Sequence, residues 1–378
     1  MYFACTDIGK ELQGFQLQGM SFPYSGFAAR LYNYCRSLGF EPGKILPSRA
    51  FCSDENQGYP IILLTKHFGA FPFNHGRVGG IVAIDRHGPH AHHGQDLVIV
   101  HASHVGFDPH TGRYGVYCRV HTEHMEATSA CGKIEHVLAW YQQHYAFAQE
   151  NIRLHRHEGE LLVTIDNALL ENSREGLVLH LDRLIAGDGK GRVRYRYSSS
   201  TAKSYVASQE LRATLGDTAW PETGHQAIGS DLQPQWFHFQ RSLAGQAVPE
   251  DRLEANLLPA MPWIVASPSP LLTAAQANVQ VEFDRTYRSL ITSDAYRGKR
   301  LLFVSGLHID LSPSAYQAFP VTQFVPWAAF VQDRKGSGFV LDQPQIVARL
   351  QEQAETNPDE LHLEQSIAAM TEAEKQLS

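Results

Sequence analysis

Cysteine and histidine, two residues that commonly bind zinc, are concentrated in the first half of the chain. All five cysteines precede residue 132, and 15 of the 20 histidines lie between His67 and His157. Three of these residues, Cys52, His104 and Cys131, stand on separate predicted elements, and the chain has no Cys-x-x-Cys pair of the kind common in structural zinc sites. The pattern predicts a catalytic type of zinc site that keeps one coordination position open.

A carboxylate lies close to this predicted site, because Asp54 follows Cys52 by two residues. It can orient a zinc-bound water or occupy the fourth coordination position, and zinc lowers the pKa of bound water to about 7. An arginine nearby would keep Asp54 ionised. Arg49, on the same segment, and Arg77, in the sequence HGRVGG, are the two candidates.

Two residues compete with the proposed ligands. His101 is the alternative to His104, and as a non-ligand it is a candidate proton-relay group because the pKa of histidine lies near neutrality. Cys118 is the alternative to Cys131. The other notable residues are predicted to be structural or solvated: Cys5, Cys35, His308, Asp310 and the histidine-rich segment 87–93 (HGPHAHH).

Hydrophobic periodicity predicts the elements that position the first ligand. Residues 25–38 have helical spacing, a short strand is predicted to end near Cys52, and a helix is predicted through residues 60–68. Cys52 is therefore expected in the connection after a strand.

The other two ligands are expected at element ends as well. The apolar run from Leu97 to Val100 predicts a buried strand, followed by a loop that contains His104. A helix is predicted to begin at Ser129, which places Cys131 at its N-terminus, where the helix dipole favours a thiolate. In the second half, the segment MPWIVAS (261–267) is interpreted as a strand.

Composition restricts the class of protein. The chain has 378 residues, of which 43% are hydrophobic and 19% charged, with a net charge of -7. These values predict a globular protein with a sizeable core and no nucleic-acid partner. No apolar run reaches the roughly 20 residues of a membrane span. The N-terminus lacks the features of a signal peptide, so a cytoplasmic location is expected.

The chain is predicted to have two α/β parts and a tail. A segment rich in glycine, serine and basic residues (187–204) suggests the boundary. We therefore expect a zinc domain at 1–185, a second α/β region of unknown type at 186–345 that supports it or forms an interface, and a polar helical tail at 346–378.

Short motifs resemble two related families of carbonic anhydrases. Cys52-Ser53-Asp54 resembles the Cys-x-Asp opening of the β-class enzymes, but His104 and Cys131 are 27 residues apart, and Asn56 stands where that class has an arginine. The limiting-CO2-inducible B protein family, or theta class, is more similar. Its motifs correspond in order to CSDE (52–55), FGAFPFNHGRVGG (68–80), DLVIVHASHVGFD (96–108) and SACGK (129–133).

This resemblance, which covers roughly residues 20–150, implies a fold and a function. The fold would be a β-carbonic-anhydrase-like, mostly parallel sheet with flanking helices, usually in a homodimer. Zn2+ would be bound by Cys52, His104 and Cys131, with Asp54 as the gating acid and Arg77 favoured over Arg49 as its partner.

The implied reaction is the hydration of CO2 to bicarbonate by a zinc-hydroxide mechanism, with His101 as a possible aid to proton removal. Two alternatives remain open at this point. One is a zinc hydrolase on the same ligands, and the other is a non-enzymatic or vestigial zinc scaffold in inorganic-carbon handling.

Overall fold

A computed structural model gives the fold of the chain. It describes residues 7–84, 88–89, 96–118, 127–171, 175–187, 195–243, 252–312 and 320–377. The chain forms two compact units, one from residues 1–135 and 271–378 and the other from residues 136–270. This division differs from the predicted boundaries near residues 185 and 345, because strands from the first and last thirds of the chain pair in one sheet.

The described elements follow one another along both units. The strands are β1 (Phe22–Pro23), β2 (Ile45–Ala50), β3 (Phe73–Asn74), β4 (Gly76–Arg77), β5 (Ile81–Val82), β6 (Asp96–Asp108), β7 (Arg113–Tyr114), β8 (Val116–Cys118), β9 (Ala127–Ser129), β10 (Ile152–His157), β11 (Glu160–Asp166), β12 (Gly176–Leu179), β13 (Tyr195–Ser198), β14 (Ala202–Val206), β15 (Gln226–Ala227), β16 (Phe237–Gln240), β17 (Leu301–Leu311), β18 (Val321–Gln332) and β19 (Gly338–Leu341). The α-helices are α1 (Ile8–Gln13), α2 (Tyr24–Ser37), α3 (Gly58–Phe68), α4 (Gly132–Asn151), α5 (Asn167–Leu170), α6 (Leu181–Leu184), α7 (Gln209–Leu215), α8 (Arg252–Leu257), α9 (Met261–Val265), α10 (Pro270–Thr292), α11 (Gln343–Gln351) and α12 (Leu363–Leu377). Within the described ranges, none of these helices is both long enough and apolar enough to cross a membrane.

The first unit is organised around a mixed sheet of eight described strands. Strands β3, β2, β6 and β17 are parallel neighbours in that order. Strands β18 and β1 continue the sheet in antiparallel pairing, and the short β7 and β19 pair with β6 and β18. The prediction of an α/β fold with a parallel-rich sheet and flanking helices is confirmed.

Helices cover both faces of this sheet. Helices α2, α3 and α11 share one hydrophobic core with Val98, Val100 and Ala102 of β6. Helix α10 lies against the other face, where the Asn278 amide donates a hydrogen bond to the Ser103 hydroxyl (2.8 Å). Because successive side chains of a strand alternate between faces, the even-numbered residues of this part of β6 point toward α2 and α3. The odd-numbered ones point toward α10.

The second unit contains an antiparallel sheet with the strand order β13-β14-β11-β10-β15 and a separate β12–β16 pair. It includes residues 136–185, which the sequence prediction had assigned to the zinc domain.

Three local predictions were wrong. The segment MPWIVAS forms helix α9 instead of a strand, and Pro262 lies in its first turn, where proline suits a helix. His104 lies inside β6 and not in a loop, because β17 pairs with β6 as far as Phe107. The predicted tail begins within α11, whose residues Ile346, Val347 and Leu350 are buried in the core of the first unit.

Candidate metal centre

The unequal lengths of two neighbouring strands bring Cys52 and His104 together. The last pair between β2 and β6 is Ala50 with His101, and among the described strands the next one to pair with β6 on that side is β7, whose pairing begins at Phe107. Cys52 follows the end of β2 by two residues and His104 follows the last pair by three. The chain leaving β2 therefore passes beside His104 at the carboxyl ends of the parallel strands, where open α/β sheets usually place their sites.

Backbone contact with β6 fixes the third residue. The Gly106 N–H donates to the carbonyl of Ala130 (2.9 Å), two residues beyond His104 on the same strand. This bond holds the segment before α4 against the strand. Cys131 directly precedes α4, which begins at Gly132, so the predicted location of this cysteine at the start of a helix agrees with the structure.

Cys52, His104 and Cys131 form a compact buried group that could hold a metal ion. One ligand atom from each residue lies within 4.8 Å of the other two, and the residues are 3%, 0% and 2% exposed. The two sulfurs are 3.8 Å apart, and both cysteines are free thiols. Nε2 of His104 has no hydrogen-bond partner among the described residues, which is costly for a buried nitrogen unless a ligand occupies it.

The ionisation of the group also suits a cation. The contact between the two thiols lowers the pKa of Cys52 and raises the pKa of Cys131, so Cys52 is the thiol that ionises first. Burial lowers the pKa of His104, but its contacts with Asp310, Cys131 and Cys52 outweigh burial and raise the pKa well above 6.5. A dication would replace these protons, since a coordinating thiol is deprotonated outright.

Asp54 lies on the solvent side of this group. Its Oδ2 is 3.8 Å from Nε2 of His104, and its side chain is 22% exposed, whereas that of His104 is fully buried. Burial raises the pKa of Asp54 to about 6, although His104 opposes this effect. Asp54 is thus a half-buried carboxyl group between the buried cluster and solvent, and the gating role expected for it stays a prediction.

His101 lies apart from the cluster because it points to the opposite face of β6. Its Nε2 donates to the carbonyl of Gly80 (2.9 Å), and its Nδ1 accepts from the Ser305 hydroxyl (2.7 Å). Both ring nitrogens are therefore engaged by the protein. The proton-relay role expected for His101 stays a prediction.

Neither candidate arginine pairs with Asp54 among the described residues. Arg77 is exposed, and Arg49 is half-buried near Tyr24. The ion pair recorded for Asp54 is with His104. The role predicted for Arg77 also stays a prediction.

The structure assigns the remaining candidates as follows. Cys118, in β8, is outside the metal-ligand group, and Cys35 is buried in the core. Cys5 and the histidines of segment 87–93 lie outside the described residues.

Asp310 was predicted to be structural, but it contacts a residue of the cluster. Its Oδ2 accepts a hydrogen bond from Nδ1 of His104 (2.9 Å). The sequence gives a partial indication of this role, because the segment SGLHIDL (305–311) resembles the end of the strand that carries His104. Only the parallel register, which pairs His308 with His104, shows that this strand lies beside the first one. Gln57 donates to the same carboxylate (2.9 Å), a contact that no sequence pattern indicates.

A glycine allows two backbone segments to cross beside Cys52. A Cβ on Gly76 would lie 2.2 Å from the Phe51 carbonyl oxygen and 2.5 Å from the Phe51 nitrogen. We expect Gly76→Ala to lower the free energy of unfolding by about 1–3 kcal/mol, the usual cost of overpacking. Urea titration of both proteins would measure this difference.

Gly58→Ala is the matched control, because a Cβ on Gly58 meets nothing within 4 Å and the residue has helical dihedral angles. Equal stability of the two alanine variants would contradict the close crossing at Gly76.

Comparisons with known proteins identify the fold. No family model and no curated protein sequence matches the chain. Among solved structures, the chain is similar to PtLCIB4, a homologue of the limiting CO2-inducible protein LCIB, with a TM-score of 0.51 and 13% identity over 86% of this chain and 96% of that one. A histidine-to-alanine mutant of PtLCIB4 gives the same score and identity over 88% and 98%. The chain therefore has the LCIB-like fold that its short motifs predicted.

Proposed function

We propose that this protein is a zinc-dependent carbonic anhydrase that hydrates CO2 to bicarbonate. The observation that carries the proposal is the buried group of Cys52, His104 and Cys131 with Asp54 at its solvent side. The similarity in fold to a homologue of a limiting CO2-inducible protein supports CO2 as the substrate.

Zinc is the metal that best fits this donor set. Two thiolates and one imidazole are a known combination in catalytic zinc sites, where the fourth position is left for water or substrate. Soft sulfur ligands disfavour magnesium and calcium, which prefer oxygen. Cys52 and Cys131 would contribute sulfur and His104 would contribute Nε2.

When bound, zinc would supply a Lewis acid that makes water ionise near neutral pH. The protein's own residues would do the rest. Asp54 is the carboxyl group at the solvent side of the three ligands. It would accept and hold a proton at its Oδ2, which faces His104 Nε2. Burial of the three ligands would exclude bulk water and strengthen the local electrostatic interactions.

Metal analysis combined with stopped-flow CO2 hydration tests the proposal. Protein purified under reducing conditions is expected to contain about one zinc per chain and to hydrate CO2, and Cys52→Ala is expected to lose both properties because it removes one of three protein ligands. Cys35→Ala is the matched control, since it removes an equally buried thiol outside the group. Wild-type protein without zinc would refute the proposal.

A second variant separates catalysis from metal binding. Asp54→Asn is expected to keep its zinc and to lose about 100-fold or more in hydration rate, within the range of a general acid–base residue. Zinc-loaded wild-type protein without hydration would favour the alternatives, a zinc hydrolase or a non-catalytic zinc scaffold. As part of the same proposal, the protein would act on CO2 and bicarbonate as a cytoplasmic homodimer.

A further inference from the structure

Asp310 is a buried carboxylate on the strand next to His104. Strands β17 and β6 run parallel with His308 opposite His104 and Asp310 opposite Gly106, so all three polar side chains point to one face. Asp310 is 0% exposed, and among the described residues it forms an ion pair only with His104. A charge buried in this way costs several kcal/mol unless its oxygens accept hydrogen bonds.

Three donors surround this carboxylate. Its Oδ2 accepts from Nδ1 of His104 and from the Gln57 amide, each at 2.9 Å, and its Oδ1 accepts from the Thr322 hydroxyl at 3.1 Å. Because an ionised carboxylate only accepts, the proton of the His104–Asp310 bond belongs to Nδ1 of His104. The lone pair of the neutral ring is then on Nε2, the nitrogen that faces the two cysteines.

The orientation of Gln57 is fixed as well. Its amide nitrogen also donates to the Asn56 side-chain oxygen (3.1 Å), and its oxygen faces Nδ1 of His308 (2.5 Å). Gln57 is 1% exposed, so no solvent competes for these groups. A reversed amide would point its NH2 at the ring and its oxygen at the carboxylate of Asp310. Two acceptor oxygens would then face each other, so the reversed amide is disfavoured. The hydrogen bonds therefore run in one donor-to-acceptor direction, from His308 to Gln57 and from Gln57 to Asp310.

We propose that Asp310, held in place by Gln57, is a positioning residue that presents His104 as an Nε2 ligand to the metal. The inference rests on the metal site of the proposed function but concerns the affinity for the ion and not the reaction. A histidine ligand that donates its other N–H to a carboxylate is fixed in orientation and tautomer and is a stronger base. Loss of such a partner typically costs about 10- to 100-fold in metal affinity.

Chelator competition with zinc measures this affinity directly. Asp310→Asn keeps the size of the side chain but removes its charge, and Gln57→Met keeps the length but removes the three side-chain hydrogen bonds of Gln57, to Asp310, Asn56 and His308. We expect Asp310→Asn to weaken zinc binding by about 10- to 100-fold and Gln57→Met by a smaller factor, because it acts through Asp310. The thiolate-to-cobalt absorption of the Co2+-substituted proteins should shift in both variants.

Ser48→Ala is the matched control. It removes a fully buried hydroxyl that bonds to His75 (2.8 Å), a histidine outside the ligand group. Thermal unfolding of each variant identifies any that fails to fold. If Asp310→Asn does not fold, Gln57→Met still tests the proposal. Zinc affinity and a cobalt spectrum equal to those of Ser48→Ala in both variants would overturn the proposal. Zinc-loaded wild-type protein that fails to hydrate CO2 would refute the catalytic function alone, and weakened zinc binding in the variants would still support positioning.

Discussion

Replacing His104 by alanine is expected to lower the zinc affinity of the protein by more than about 100-fold, because even a hydrogen-bond partner of a ligand is worth about 10- to 100-fold. His101→Ala is expected to leave zinc binding nearly unchanged. The two histidines are three residues apart on β6 and point to opposite faces, and both ring nitrogens of His101 already bond to Gly80 and Ser305. Chelator competition on the two variants measures the difference.

This pair of variants is a sensitive test because both remove a fully buried imidazole from one strand. A general loss of stability would therefore affect both. If His101→Ala released the metal and His104→Ala retained it, the assignment of ligands would be reversed. His101→Ala is informative about hydration too, since a fall in rate with zinc retained would support its predicted role in proton transfer.

Acidification is expected to destabilise the protein through His75 and His101. Burial lowers the pKa of His75 to about 3 and that of His101 to about 4, from an ordinary value of 6.5. Below about pH 6.5 these two histidines are protonated in the unfolded chain but remain neutral in the folded protein. The free energy of unfolding therefore falls as the pH falls. Each of the two histidines contributes about 1.4 kcal/mol per pH unit to the slope of the free energy of unfolding against pH. At pH 5 each has therefore lowered the free energy of unfolding by about 2 kcal/mol.

His75→Gln is expected to reduce that slope by about 1.4 kcal/mol per pH unit between about pH 6 and pH 4. Urea unfolding across this range, with a chelator present to remove the contribution of metal, gives the slopes. Cys35→Ala should lower stability at every pH without changing the slope, because it removes a buried thiol and no imidazole. Parallel pH profiles for His75→Gln and the wild-type protein would show that His75 takes up its proton in the folded state.

Much of the candidate metal centre can be predicted without the fold. The spacing of Cys52 and Asp54 keeps them close in any conformation, and the lack of a Cys-x-x-Cys pair excluded the most common structural zinc site. The choice of His104 over His101 relied on a predicted loop that proved to be a strand. His104 still lies beside the two cysteines for another reason, since the pleat of β6 points His104, and not His101, toward Cys52 and Cys131.

The predicted domain division differs from the two compact units for a related reason. Composition marked a boundary near residue 186, but a boundary in space depends on which strands pair. Strand β17 lies beside β6 although about 200 residues separate them, and no local pattern reports a partner at that distance.

The sequence by itself therefore indicated which residues of this protein could bind a metal: the two cysteines and the histidine, the neighbouring carboxylate and the short motifs of an LCIB-like α/β fold. Residue types and short spacings carry that information because they act within one or two turns of chain. The tertiary structure decided the rest. It placed Asp310 and Gln57 behind His104 and turned His101 to the opposite face, because parallel pairing and strand pleat set contacts between residues far apart in the chain.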